Sequence, residues 1–209
     1  GLADSLLMDA VRVEVTPAAS TPEKVKQRVL FVAKDKKRAL LGELMVDTDK
    51  SRVLIFTRTK HGANRVAKHL DQIGVEAAAI HGNKSQGARE RALKNFRNGK
   101  LRALVATDIA ARGIDVDGIS HVINFDLPIE PESYVHRIGR TARAGATGIA
   151  ISFCEPEECA YLASIEKVIR HAVPVDEDHP FHLAQIMQGP GSAKPNLQRD
   201  RRLSKHRRS

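Results

Sequence analysis

Residues 52–82 read RVLIFTRTKHGANRVAKHLDQIGVEAAAIHG, and this stretch decides the fold. Residues 52–56 form a β-rich run with the apolar density of a central parallel strand. From 59 to 73, Ala63, Val66, Ala67, Leu70 and Ile73 recur at helical spacing, and Gly74 is the stop. Residues 75–80 are the next strand. The same alternation extends outward on both sides. A strand is expected at 27–32, then a helix over 36–45 with Ala39, Leu40 and Leu44 on one side. Ser85 caps a helix reaching Asn98, which Gly99 stops. Strands follow at 101–106, 121–124 and 147–153, with helices at 133–140 and 157–169. Strand–helix alternation with short links implies an α/β fold: an open, doubly wound, mostly parallel sheet with helices on both faces and right-handed crossovers. Ligands of such sheets bind beyond the carboxyl ends of the strands. That edge should carry Thr57-Arg58, His81-Gly82 and Thr107-Asp108.

Composition fits one domain. The chain has 209 residues, 42% of them hydrophobic, enough for one sizeable core and short for two. Aromatics are 4% with no Trp, so the core must be mostly Val, Ile, Leu and Ala, as in a parallel sheet. Cys154 and Cys159 have no His at metal-ligand spacing and read as two reduced thiols of a cytoplasmic protein. No metal site is expected, and no apolar run approaches the ~20 residues of a membrane span. No signal peptide precedes Gly1, which suggests a boundary within a longer polypeptide. Of the net charge of +9, residues 191–209 carry +6, with seven Lys/Arg against Asp200. The rest carries only +3, so bulk charge does not mark the body as a nucleic-acid binder. We divide the chain into a linker or the end of a preceding domain (1–24), a folded body (25–180) and a basic tail (181–209). The tail lacks apolar periodicity and is expected to be disordered, as a non-specific RNA tether or a solubilising extension.

Residues 134–145 read YVHRIGRTARAG. At about 100° per residue, His136, Arg140 and Arg143 would share one helix face within roughly 60° of arc, with Arg137 pointing away. Two guanidiniums and an imidazole on one side suit a highly charged anion, such as a nucleotide's terminal phosphates. Arg serves there because its planar fork binds phosphate oxygens in pairs and keeps its proton. A solvated basic face would normally also carry Glu or Asp, and Thr141, Ala142, Ala144 and Gly145 are neutral.

This segment resembles motif VI of the DEAD-box RNA helicases. Three further blocks match that family in order: residues 53–60 (VLIFTRTK) resemble motif IV, 105–115 (VATDIAARGID) motif V, and 121–128 (HVINFDLP) the block after it. Gln86 and Arg89 match the Q-x-x-R element. Four blocks in order over about ninety residues are specific where one would be weak. The wording is closest to the bacterial RhlE-like branch. Asn83 and Lys84 stand where the family often has Asp and Arg. Neither a G-x-x-x-x-G-K-[ST] loop nor an Asp-Glu-Ala-Asp run occurs. The chain therefore resembles the second, C-terminal RecA-like domain alone.

The resemblance implies a division of labour. Thr57, Arg58, Gly82, Gln86, Arg89 and Thr107 would line an RNA path and contact the sugar-phosphate backbone without reading bases. Asp115 would accept a hydrogen bond from the ATP ribose, with Arg112 and Gly113 beside it. Arg140 and Arg143 would be arginine fingers, with His136 in the interdomain network and Arg137 structural. The partners would be RNA and the N-terminal RecA-like domain of the same protein, whose carboxylates would hold Mg2+. This fragment alone would hydrolyse nothing. Two other readings stay open: a stand-alone, non-catalytic RNA-binding or regulatory module, and a DNA-directed relative of the same superfamily.

Overall fold

The computed structural model of the chain describes residues 25–46, 52–142 and 147–184. Along it run β1 (Val25–Phe31), α1 (Lys37–Val46), β2 (Val53–Phe56), α2 (Lys60–Gln72), β3 (Ala77–Ile80) and α3 (Gln86–Arg97). Then come β4 (Ala103–Ala106), α4 (Asp108–Ala111), β5 (His121–Asn124), α5 (Pro131–Ile138), β6 (Gly148–Cys154) and α6 (Cys159–Ile169). The expected linker, most of the expected tail and Arg143 lie outside the described residues.

The strands form one sheet in the order β1-β6-β5-β2-β4-β3, and every pairing is parallel. Side-chain alternation divides the core between the two faces. Val53, Ile55, Ala103 and Val105 point to one face and pack with Leu40 and Leu41 of α1 and Val66 and Leu70 of α2. Leu54, Phe56, Leu104 and Ala106 point to the other, against Phe96 of α3 and Ala110 of α4. On that second face, β1 and β6 pack through Val29 and Ala150 against Tyr134 of α5 and Ile165 of α6. Connections running one way across the sheet thus use one face, and those running back use the other. A chain that keeps a single crossover hand must do this.

Local chemistry sets the element ends. Thr59 Oγ1 accepts from the Gly62 amide at 3.0 Å, and Ser85 Oγ accepts from the Ala88 amide at 3.3 Å. Gly74 closes α2 at φ +81° and Gly99 follows α3 at φ +73°, both left-handed conformations that a Cβ would strain. The helix expected over 133–140 is shifted toward the N-terminus. Pro131 starts it with a preset φ, and it ends at Ile138 with Gly139 as cap.

A further element was invisible to periodicity. Val29 donates its amide to Pro174 O at 2.9 Å, and Asp176 returns an amide to Val29 O at 2.9 Å. This parallel bridge covers the outer edge of β1, which would otherwise present unpaired groups. Phe181 then packs on the α1/α2 core, and the Leu183 amide donates to Phe31 O at 3.1 Å. Residues 181–184 therefore belong to the body, beyond the boundary expected at 180.

Candidate functional site

Because all strands run the same way, their carboxyl ends and following loops gather on one edge. Buried there is Arg137, 1% exposed although charged. Its Nε and Nη2 donate to the two carboxylate oxygens of Asp108 at 2.6 and 2.7 Å. Its Nη1 donates to Asn124 Oδ1 at 3.1 Å and Asp126 O at 2.7 Å, and its guanidinium lies 4.9 Å from the Phe56 ring centre. Asn124 in turn donates to Ser152 Oγ at 3.0 Å. One side chain thus joins α5 to the loops after β4 and β5.

His136 and Arg140 face an open cleft of about 340 Å³, lined also by Phe56, Asp108, Ala111, Arg112, Ser133 and Arg137 itself. Arg140 does not reach it from a helical stripe. It sits in the turn after α5, where the Arg140 and Thr141 amides donate to Arg137 O and Ile138 O at 3.1 and 3.2 Å. Its Nη1 donates to Ile114 O at 3.1 Å. The expected single helix face is corrected for His136 and Arg140, because Gly139 ends the helix between them, while Arg143 lies outside the described residues. Arg112, exposed at the end of α4, closes the cleft opposite.

Asp115 is exposed on the same loop, past Gly113 at φ +79°. It lines a second, smaller cleft of about 260 Å³ with Arg52, Arg97, Val116 and Asp117. The structure therefore places Arg112 and Asp115 on neighbouring clefts of one loop.

The residues expected along the RNA path divide into accessible and withdrawn. Gly82 and Gln86 are exposed, and a Cβ on Gly82 would meet only open space. Gln86 Nε2 donates to Glu90 Oε1 at 3.0 Å. Arg89 is half-buried, and its Nε, out of solvent, has no hydrogen-bond partner. Thr107 is half-buried before α4, and its hydroxyl makes no cap bond. Thr57 corrects its expectation as a surface contact: it is fully buried, and its hydroxyl donates to Thr59 O at 3.2 Å. Thr57 shapes the turn after β2 instead of lining the surface.

Arg58 is accessible but engaged. Its amide donates to Asp126 Oδ2 at 2.9 Å, its guanidinium pairs with Glu158, and it stacks 5.4 Å from the Tyr161 ring centre. Glu158, 1% exposed, also accepts from the Leu127 amide at 3.0 Å and from Lys37 Nζ at 2.7 Å. Burial pushes its carboxyl above the usual range, against the opposing pull of the Lys37 charge. Lys37, itself 2% exposed, lies 3.6 Å from Glu155 and 3.5 Å from Asp126. Sequence reasoning missed this network. Its one local signal, the Glu-Pro-Glu-Glu run at 155–158, reads as a helix start, and the structure does form a capping box there.

His81 lies just beneath this edge, 3% exposed. Its Nδ1 accepts from the Asn83 amide at 3.3 Å and its Nε2 faces Asn64 Oδ1 at 2.9 Å, a pattern that fits the neutral ring protonated at Nε2. Burial lowers its pKa, and the charges of Lys84 and Lys60 lower it further. Cys154 and Cys159 are free thiols, both raised by burial, with Sγ contacts to Glu155 O at 3.6 and 3.8 Å. Among the described residues no group of three or more His, Cys, Asp or Glu could hold a metal ion. No helix there is long and apolar enough to cross a membrane.

Known proteins share this fold. Residues 35–145 match the family model of the helicase conserved C-terminal domain. The fold superposes on the crystal structure of the E. coli DEAD-box protein SrmB bound to regulator of ribonuclease activity A. The TM-score is 0.71 and the identity 33%, covering 83% of this chain and 99% of that one. The chain belongs to the DEAD-box helicase C-terminal domains. The domain is 42% identical over 186 residues to the ATP-dependent RNA helicase RhlB of Pseudomonas syringae pv. tomato, covering 89% of this chain and 47% of RhlB. It also resembles S. cerevisiae Dbp5 bound to RNA and ADP BeF3, with TM-score 0.69 and 32% identity, covering 75% of this chain and 42% of Dbp5. The helicase domain therefore spans about half the length of the curated relatives it matches. These relationships reach the DEAD-box family and stop short of its RhlE-like branch.

Proposed function

We propose that this domain supplies the second half of an ATP-dependent RNA helicase of the cytoplasm, RhlE-like in its motif wording. The observation that carries the reading is the convergence of Arg112, His136 and Arg140 on one open cleft, which the ion pair of Arg137 with Asp108 also lines. Such a cleft fits the terminal oxygens of a nucleotide triphosphate held by a facing domain. Arg140 and Arg143 are the arginine fingers of this reading, His136 joins the interdomain network, and Asp115 receives the ribose hydroxyl beside Arg112 and Gly113. An arginine finger contributes ~10³–10⁵ in rate, about 4–7 kcal/mol of barrier. Mg2+ would be held by the facing N-terminal RecA-like domain, since the described residues offer no carboxylate cluster for it. RNA would run along Gly82, Gln86, Arg89 and Thr107, with Arg58 at its border, and be held by its backbone without base readout. A nucleotide bridging both domains would close them and bend one RNA strand away from its complement.

The test is ATPase of the domain alone, of the domain mixed with the facing RecA-like domain, and of both in one polypeptide. The expected result is no turnover alone, little on mixing, and RNA-stimulated turnover when linked. RNA binding by the linked protein without any ATPase would favour the non-catalytic module.

A further inference from the structure

Three guanidiniums from three separate elements grip one short loop. Arg140 donates to Ile114 O at 3.1 Å, Arg97 at the end of α3 to Asp115 O at 3.0 Å, and Arg52 before β2 to Asp117 O at 2.8 Å. Between these carbonyls, Ile114, Val116 and Ile119 are pegged into the core at 2%, 3% and 5% exposure, which leaves Asp115 and Asp117 outward. The loop is thus fixed from both sides, by apolar side chains beneath and by cations on its carbonyls.

Two backbone features show that the grip is built in. Arg52 adopts φ +53°, a left-handed conformation that strains a residue carrying a Cβ. Gly118 has φ +72°, and a Cβ there would stand 2.7 Å from Arg52 Nη1. A side chain at 118 would press on the guanidinium that reaches Asp117 O and would be strained at this φ as well. A strained arginine and a glycine that admits it are hard to explain by surface solvation alone.

We propose that Arg97 and Arg52 are positioning residues that hold the 114–118 loop so that Asp115 meets the nucleotide's ribose. The proposal rests on the ribose role given to Asp115 above. Neither arginine touches the nucleotide. They act through the carbonyls of Asp115 and Asp117, lining the smaller cleft with Asp115 and taking no part in the Arg112 cleft. Releasing either carbonyl lets the loop turn about Gly113 and Gly118, both already at positive φ. The Asp115 carboxylate then loses its fixed place, and the loss appears as poorer selection of the sugar.

The experiment uses the full-length protein carrying both RecA-like domains and compares RNA-stimulated ATPase on ATP, 2′-deoxy-ATP and 3′-deoxy-ATP. The wild type is expected to prefer ATP over at least one analogue by about tenfold in kcat/KM, the worth of one hydrogen bond to a charged acceptor. In Arg97→Ala and Arg52→Gly that preference should fall to about twofold, with KM for ATP rising more than kcat falls, and Arg97→Lys should restore much of it. Arg52→Gly separates positioning from folding, because glycine accepts the left-handed backbone and should keep or raise the unfolding temperature. Folded variants that retain the wild-type preference overturn the clamp while leaving the ribose role intact. A wild type that does not distinguish ATP from either analogue overturns the ribose role itself, and the clamp with it.

Discussion

Arg137 and Asp108 meet fork to fork, Nε on Oδ1 at 2.6 Å and Nη2 on Oδ2 at 2.7 Å, with the guanidinium buried and the carboxylate partly open to solvent. Their elements, α5 and α4, are separated by a strand in sequence, so the pair fastens α5 and the turn after it to the loop after β4. Breaking a buried pair strands one charge and costs about 3–5 kcal/mol. Arg137→Ala leaves Asp108, 37% exposed and open to rehydration, whereas Asp108→Ala strands the buried guanidinium, which sets the upper end for that loss. Asp108→Ala should therefore destabilise at least as much as Arg137→Ala, although it removes fewer hydrogen bonds. Arg137→Lys should recover little, since a point charge cannot serve Asp108, Asn124 and Asp126 together. Urea unfolding of the three variants checks the order, and equal midpoints for Arg137→Lys and wild type would contradict it.

Glu158 holds two cations at once, Lys37 beneath and Arg58 above. Glu158→Gln should cost about 2–3 kcal/mol, since buried Lys37 keeps only the longer contacts to Glu155 and Asp126. The same change frees Arg58 toward the edge proposed for RNA. Single-stranded RNA affinity of the folded variant should rise, with a steeper salt dependence by about one unit of slope. Filter binding across a salt series reads this directly, and an unchanged slope would show that Arg58 faces no phosphate.

His81 gives a pH dependence whose sign follows from its environment. Its folded pKa lies below the ordinary 6.5, so the unfolded chain takes up the proton first. Stability from the neutral ring is full above about pH 6.5 and is lost as the pH falls below it, by at most about 1.4 kcal/mol per pH unit. Protonation would set a donor against the Asn83 amide and open the turn that carries Gly82 and Gln86. In His81→Gln, thermal unfolding between pH 7 and 5 should show a shallower decline than in wild type. A parallel decline would mean that carboxylates alone set the slope.

Much of this was legible before any coordinates. Apolar runs such as 53–56, the Ser85 cap, and Gly74 and Gly99 after their helices are local signals, and each falls where its chemistry requires. Long-range partners were not legible. Lys37 and Glu158 are brought together only when β6 inserts beside β5, and neither neighbourhood hints at the other. Periodicity also cannot see where a helix stops, so Arg140 was given to a helical stripe although Gly139 ends the helix and a turn delivers it. Thr57 misled for a related reason. A strand-end position predicts the edge, but side-chain alternation from Val53 and Ile55 sends Thr57 inward.

That inward position separates Thr57 from Arg89. Thr57→Val removes the bond to Thr59 O and should cost about 1 kcal/mol of stability, with little direct change in RNA affinity. Arg89→Ala should leave stability nearly intact and weaken binding equally across RNA sequences. Fluorescence anisotropy on two unrelated single strands, beside thermal unfolding, distinguishes the two. Loss of affinity in Thr57→Val at unchanged stability would restore that hydroxyl to the contact surface.

The central claim is that the cleft shared by Arg112, His136 and Arg140 completes an active site on a facing domain. The most direct measurement is RNA-stimulated ATP turnover by the full-length Arg140→Ala protein, beside its nucleotide and RNA affinities. The account predicts a fall in kcat of about 10³ or more with both affinities within a few-fold of wild type. Full turnover in that variant would contradict it.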